Sequence, residues 1–188
     1  MALVLIGPVA TGKTTLAKLL AAATGKPHVS LDDTRWIHYP EQGYRPEKAR
    51  AFIEKQDFLG LAHYWHTFDL HNIRRTLEAN PEGVLDFGGG HTLFFEGEEA
   101  TALKALLEPH AVILVLPTKD REQSRKILRS RIHAQGEHPE EIYRLNDLML
   151  DSTLNVELSN FVLYTEGESP EQSVQRILEF LRQDTSQL

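Results

Sequence analysis

Gly7, Gly12, Lys13 and Thr14 stand in the spacing G-x-x-x-x-G-K-[ST], between an apolar run at residues 2–6 and a helical pattern that begins at residue 13. That context suits an anion nest. Glycine lets the backbone curl until successive N–H groups point at one spot, and the positive end of the following helix faces the same spot. A polyphosphate is the natural occupant. Lys13 would offset charge on its β- and γ-phosphates, and Thr14 would offer a hydroxyl to Mg²⁺.

Carboxylates are expected next, at the carboxyl edge of a sheet, where ligands of open α/β sheets bind. Two apolar runs end in them: "SLDD" supplies Asp32 and Asp33, and "VLDFGGG" supplies Asp86. Either could hold Mg²⁺ or orient a hydroxyl for attack. A helix-capping pair at a loop entrance is the alternative for Asp32 and Asp33. Asp86 interrupts an apolar strand, where an unpaired charge is costly, so a ligand role is the better reading. Gly88, Gly89 and Gly90 follow it; three glycines are entropically expensive, which favours close approach of a ligand to backbone. The basic run 119–131 places Arg125 and Arg129 at helical spacing, facing either ATP or solvent. His63, His66 and His71, among nine histidines, lack a third ligand at metal spacing and read as part of an aromatic helix face.

The elements that must position these groups alternate. Strands are expected at 2–6, around "PHVSLDD", around "EGVLDFGGG", in "HAVILVLP" and in "LSNFVLYT". Helices are expected at 13–24, at about 47–77 with a break near Gly60, at 98–107, at 120–133, after 139, and after Ser169 and Pro170. Segments 35–46 and 133–139 read as loops. Five strands alternating with helices imply an α/β fold, a parallel sheet in a three-layer sandwich, in one domain over 1–188.

Bulk properties narrow the function classes. The 188 residues are 41% hydrophobic and 25% charged, an ordinary globular balance. With 20 basic against 27 acidic residues and a net charge of −7, nucleic acid is a poor partner. The absence of cysteine removes disulfides, thiolate metal sites and thiol nucleophiles. No apolar window reaches membrane-span length, and the N-terminus lacks the features of a signal peptide, so no membrane partner and a cytoplasmic location are expected. A monomer is the default.

"GPVATGKTT", the strand ending at Asp32, "VLDFGGG" and the closing "YTEGESPEQSVQRILEFL" together resemble the shikimate kinase family and related small P-loop kinases, over nearly the whole chain. The glycine triplet is the more specific mark. The resemblance implies ATP and Mg²⁺ as cofactors, a mobile lid at about 129–142 and a substrate-binding helical region at about 35–78. It implies that Gly7 and the run Ala10, Thr11, Gly12, Lys13, Thr14 and Thr15 grip the phosphates, with Arg125 and Arg131 on the nucleotide. Asp32 falls on the family's substrate-hydroxyl aspartate, Gly88 to Gly90 on its substrate triplet, and Tyr64, Trp65 and His66 where it receives the acceptor. Departures matter as well. Ala10 stands where a glycine is usual, and Ser30 replaces a strand-two carboxylate. The two carboxylate-clamping arginines fall near Thr67 and Asp151.

The expectation is therefore an ATP-dependent kinase acting on a hydroxyl of a small molecule. Lys13, Asp32 and Arg129 would be catalytic, Asp32, Asp33, Trp65 and Gly88 to Gly90 would line the acceptor, and Thr14 and Asp86 would hold the metal. A shikimate kinase with displaced arginines and an ATP-binding switch without an acceptor remain the alternatives.

Overall fold

The computed structural model describes residues 1–185. Five parallel strands form one sheet: β1 (Leu3–Ile6), β2 (His28–Ser30), β3 (Val84–Asp86), β4 (Ala111–Leu116) and β5 (Phe161–Tyr164). Their spatial order is β2-β3-β1-β4-β5, so the opening strand lies at the centre. Its two neighbours are in register at Leu5↔Asp86 and Leu5↔Ile113. The central strands are apolar on both faces because both are covered.

Alternate residues feed two cores. Leu3, Leu5, Ile113 and Val115 pack on α1 (Lys13–Thr24) and α9 (Pro170–Thr185), through Leu16, Leu20, Val174 and Ile177. Val4, Ile6, Leu85 and Leu114 face the opposite way, toward Ile73, Leu77, Leu103 and Leu158. Those four belong to α4 (Phe58–Ala79), α5 (Gly97–Leu107) and α8 (Thr153–Leu158). The result is the expected three-layer α/β/α architecture.

Several boundaries differ from the sequence reading. Strand β2 stops at Ser30, and Leu31–His38 is a helix, α2, so Asp32 and Asp33 lie in a helical first turn rather than at a strand end. Carboxylates there complement the helix dipole, which is the capping alternative for this pair. The expected loop 35–46 is mostly helical: α2 runs into a short 3-10 helix, Tyr39–Gln42, and α3 (Pro46–Glu54) begins soon after. Proline opens both elements, where its missing N–H costs nothing. The long helix breaks at Asp57, not Gly60; the Asp57 carboxylate accepts the Gly60 N–H at 2.8 Å and caps α4. After α6 (Arg121–His133) the chain makes α7 (Glu140–Asp151) and then α8, two helices where one was expected. Ser169 caps α9 as read, with its hydroxyl accepting the Gln172 N–H and Gln172 returning to the Ser169 N–H.

Candidate active site

The loop between β1 and α1 turns sharply. Gly7 has φ 133°, and a Cβ there would sit 2.5 Å from the Val115 carbonyl of β4, so only glycine lets the chain leave the sheet at this point. Ala10 holds φ 65°, a left-handed conformation that costs an alanine about 1 kcal/mol. Its carbonyl accepts from the Arg131 guanidinium at 3.2 Å. Lys13 is buried, and its ammonium donates to the Pro8 carbonyl at 2.7 Å, as does the Thr11 hydroxyl at 3.1 Å. Burial lowers the Lys13 pKa to about 8, against the opposing pull of Asp86 and Asp32. Thr14 and Thr15 are exposed at the start of α1, and a cleft of about 180 Å³ runs from Gly12 and Thr15 past Arg131 to Thr165 and Ser173.

Asp86 ends β3 and is buried with both oxygens engaged. One accepts from the Thr14 hydroxyl at 2.5 Å and the other pairs with His28 Nε2 at 2.9 Å. The Asp86 carboxylate and the Thr14 hydroxyl are hard oxygens at the start of α1, and as a donor pair they fit Mg²⁺, which prefers one or two protein oxygens and keeps its other positions for phosphate and water. Among the described residues no group of three or more histidines and carboxylates is arranged to hold a metal unaided.

A second cavity, of about 260 Å³, opens beside Asp32. Gly89 and Gly90 form part of its wall, whereas Gly88 is braced against Asp32; a Cβ on Gly88 would lie 2.4 Å from Asp32 Oδ1. Asp33 is exposed and does not line this space. Trp65 does, and Arg35 stacks on its indole at 4.6 Å. Arg35 also donates to Asp32 Oδ1 at 2.5 Å and to His91 Nε2 at 3.2 Å. His91 is fully buried, and burial together with Arg35 lowers its pKa to about 4. It is therefore neutral, with its Nδ1 proton on the Gly88 carbonyl at 3.3 Å and Nε2 free to accept from Arg35. Asp69 lies 3.7 Å from His91 and accepts from the Tyr39 hydroxyl. Burial raises Asp69 to about 7, opposed by Tyr39 and Arg35, and pushes the Tyr39 phenol up.

Helix α7 joins the two regions. Asn146, 2% exposed, accepts the Val9 N–H of the loop between β1 and α1 at 2.6 Å, while Leu145 and Met149 line the Asp32 cavity. Of the three arginines singled out in the basic run, Arg125, Arg129 and Arg131, the first two are taken up by carboxylates of α7. Arg125 meets Asp147 at 2.9 Å and Asp151 at 3.0 Å; Arg129 meets Asp147 at 2.7 Å and Glu140 at 3.3 Å. Arg131 alone of the three contacts the loop. Thr67 is exposed and bonds back to the Tyr64 carbonyl.

No protein-family model and no curated protein matches the chain by sequence. Solved structures do. Shikimate kinase from Acinetobacter baumannii, in complex with shikimate, aligns with a TM-score of 0.61 at 20% identity, over 97% of this chain and 93% of the other. Shikimate kinase from Aquifex aeolicus gives 0.61 at 18% identity, over 98% of each chain. A gluconokinase from Sinorhizobium meliloti gives 0.58 at 15%, over 97% and 96%. The fold is that of the shikimate kinases.

On this shikimate kinase fold, the structure brings Thr14 and Asp86 together at one corner, beside the buried Lys13, and sets Asp32, Trp65, Gly89 and Gly90 around the neighbouring cavity. Sequence reasoning missed Arg35, Asp69, His91, His28 and Asn146. The pattern "GGGHT" held the one available signal, a polar residue closing a glycine run, but nothing in its spacing pointed to Arg35 across 56 positions.

Proposed function

We propose that this protein is an ATP-dependent, magnesium-requiring kinase that phosphorylates a hydroxyl group of a small molecule. The observation that carries this reading is the Thr14 hydroxyl held on the buried Asp86 at the start of α1, next to the buried Lys13, with Asp32 lining the neighbouring cavity. Asp86 holds the Thr14 hydroxyl on the phosphate side, and Asp32 stands at the entrance of the acceptor cavity.

The residues divide the work. The turned backbone from Ala10 to Thr15 presents N–H groups to the phosphates, and Lys13 offsets their charge. Thr14 and Asp86 would hold Mg²⁺, which supplies further charge neutralisation when bound. His28 keeps the Asp86 carboxylate in its orientation. Asp32 orients the acceptor hydroxyl and takes its proton, while Arg35 fixes the Asp32 side chain. Arg131, rather than Arg129, is the lid-side cation for the nucleotide, and the 129–142 segment is the part that closes. In the transfer, the acceptor oxygen bonds to the γ-phosphorus as its bond to the bridging oxygen breaks. The electron pair leaves with ADP.

The test is ADP release with pooled hydroxylated metabolites while magnesium is titrated. Wild-type protein should show acceptor-stimulated release, Asp32→Asn should lose at least a hundredfold of it, and Asp86→Asn should need several-fold more magnesium. Release that no acceptor stimulates and that Asp32→Asn leaves untouched points instead to a nucleotide-binding switch.

A further inference from the structure

Asp69, on α4, lines the cavity beside Asp32, and the transfer described above gives it no part. It is buried, and its Oδ1 accepts the Tyr39 hydroxyl. Burial pushes the Tyr39 phenol up, so Tyr39 keeps its proton and is the donor in that bond. His91 Nε2 lies 3.7 Å from the same oxygen, but it accepts from Arg35 and has no hydrogen to offer. Oδ2 makes no hydrogen bond with the described residues. It is not one of their enclosed unpartnered atoms either, which leaves it facing the space that Asp69 lines.

The groups around Asp69 decide which form of its carboxyl the site holds. Arg35 and Asp32 face it from α2, Tyr39 from the 3-10 helix and His91 from the loop after β3, while α7 brings apolar Ile142, Leu145 and Met149 to the same cavity. Arg35 is the one permanent cation in this set, and it pairs with Asp32. A buried carboxylate without a paired cation is costly, and burial holds the Asp69 carboxyl up at about 7 against the pull of Tyr39 and Arg35. Below that pH the hydrogen sits on Oδ2, because Oδ1 already accepts from Tyr39, and Oδ2 becomes a donor.

The other unpartnered atoms nearby are donors too. Both Arg35 hydrogen bonds leave Nη2, and its Nε is buried without a partner; so is Trp65 Nε1. Each of these nitrogens carries a hydrogen and can only donate. Both residues line the cavity. A carbonyl or carboxylate oxygen answers such a set. A hydroxyl would bring one more hydrogen to a place already supplied with them.

We propose that Asp69 is a specificity-determining residue of this site, whose carboxyl donates from Oδ2 to a carbonyl or carboxylate oxygen of the acceptor while Asp32 takes the acceptor's hydroxyl. This rests on the kinase reading given above. Asp69 holds the acceptor and exchanges no proton with it. Once ionised, Asp69 repels the same oxygen, so affinity for the acceptor falls as pH rises through 7. Asparagine at this position would offer an N–H at every pH and keep an oxygen for Tyr39.

The experiment first measures binding of magnesium–ATP by calorimetry, then ADP release at saturating ATP with two matched sets. One set is shikimate, its methyl ester and the alcohol in which CH₂OH replaces the carboxylate; the other is glycerate, methyl glycerate and glycerol. ATP binding is expected, and in at least one set a carbonyl-bearing member should exceed the hydroxymethyl member at least tenfold in kcat/KM at pH 6. Carboxylate against ester tells whether the recognised oxygen is charged, and a lead of either supports the assignment. For the better member, KM should rise at least tenfold between pH 6 and pH 8.5, because the protonated share of Asp69 falls roughly thirtyfold over that interval. In Asp69→Asn the rise should be under twofold. Lys13, at about 8, titrates in both proteins and cancels in the comparison. If ATP binds but no carbonyl-bearing member stimulates release, or the hydroxymethyl members are the better acceptors, the inference is overturned while the nucleotide site stands. A rise in KM that Asp69→Asn retains overturns it too. Failure to bind ATP removes the kinase reading and this inference with it.

Discussion

Asp69 is 4% exposed, between Tyr39 and His91, and burial lifts its carboxyl from the ordinary 3.8 to about 7. The folded state therefore binds this proton more tightly than the unfolded chain. The stability it lends is complete below about pH 4 and is lost as pH rises through 7. Asp69→Asn keeps an acceptor for the Tyr39 hydroxyl and carries no charge. Relative to wild type it should gain on the order of 2–3 kcal/mol between pH 5 and pH 8, read as a pH-dependent difference in Tm. His91 works in the opposite sense, losing stability as pH falls toward 4, but it is present in both proteins and largely cancels. A pH-independent difference in Tm would mean that the carboxyl is not protonated as described. Residues of this kind were illegible in sequence. Lys13, Thr14 and Asp86 could be read from spacing, because one turn of backbone sets the first two and a strand end sets the third. Asp69, His91 and Arg35 acquire their roles only from tertiary neighbours on α2, α4 and the 88–93 loop.

Helices α6 and α7 form the element whose function is most exposed to test. Arg125 and Arg129 bind α7 to α6 through surface ion pairs, which contribute little individually, whereas Arg131 reaches the Ala10 carbonyl. Arg131→Ala should weaken ATP binding by about tenfold, and Arg129→Ala by less than about twofold, in parallel calorimetric titrations. The reverse order would return Arg129 to the nucleotide. At this scale the sequence was misleading in one informative place. Pro40, Gly43 and Pro46 read as punctuation of a loop over 35–46, yet both prolines occupy first-turn positions, and Gly43 ends the 3-10 helix at φ 78°. Turn-forming residues marked the joints between short helices. Because α2 begins directly after β2, Arg35 sits one turn beyond Asp32 and can brace it; a loop there would have left the pair unfixed.

The sheet order puts β1 between β3 and β4, so the loop at Gly7, the carboxylate at Asp86 and the glycines after β3 share one edge. This much follows from strand alternation and the motifs, and it is why the architecture was legible when the cavity lining was not. If the edge binds magnesium–ATP in the folded state alone, nucleotide at a hundred times its Kd should stabilise the whole chain by about 2.7 kcal/mol, or roughly 5–10 °C in Tm for a protein of this size. Lys13→Met should show almost no shift, and an equal shift in that variant would remove Lys13 from the site. The net charge of −7 bears on the same measurement, since a cation-free control separates magnesium screening of the acidic surface from true occupancy. One helix finally ties the two halves together: α7 offers Asn146 to Val9 and, from the preceding position and one turn further on, Leu145 and Met149 to the neighbouring cavity. A tilt of that rod would move both contacts together. If the protein holds a donor and a co-substrate there, thermodynamic reciprocity requires that however many-fold the donor sharpens the grip on the co-substrate, the co-substrate must sharpen the grip on the donor by the same ratio, a cycle that closes only if the two titrations are run in both orders and agree.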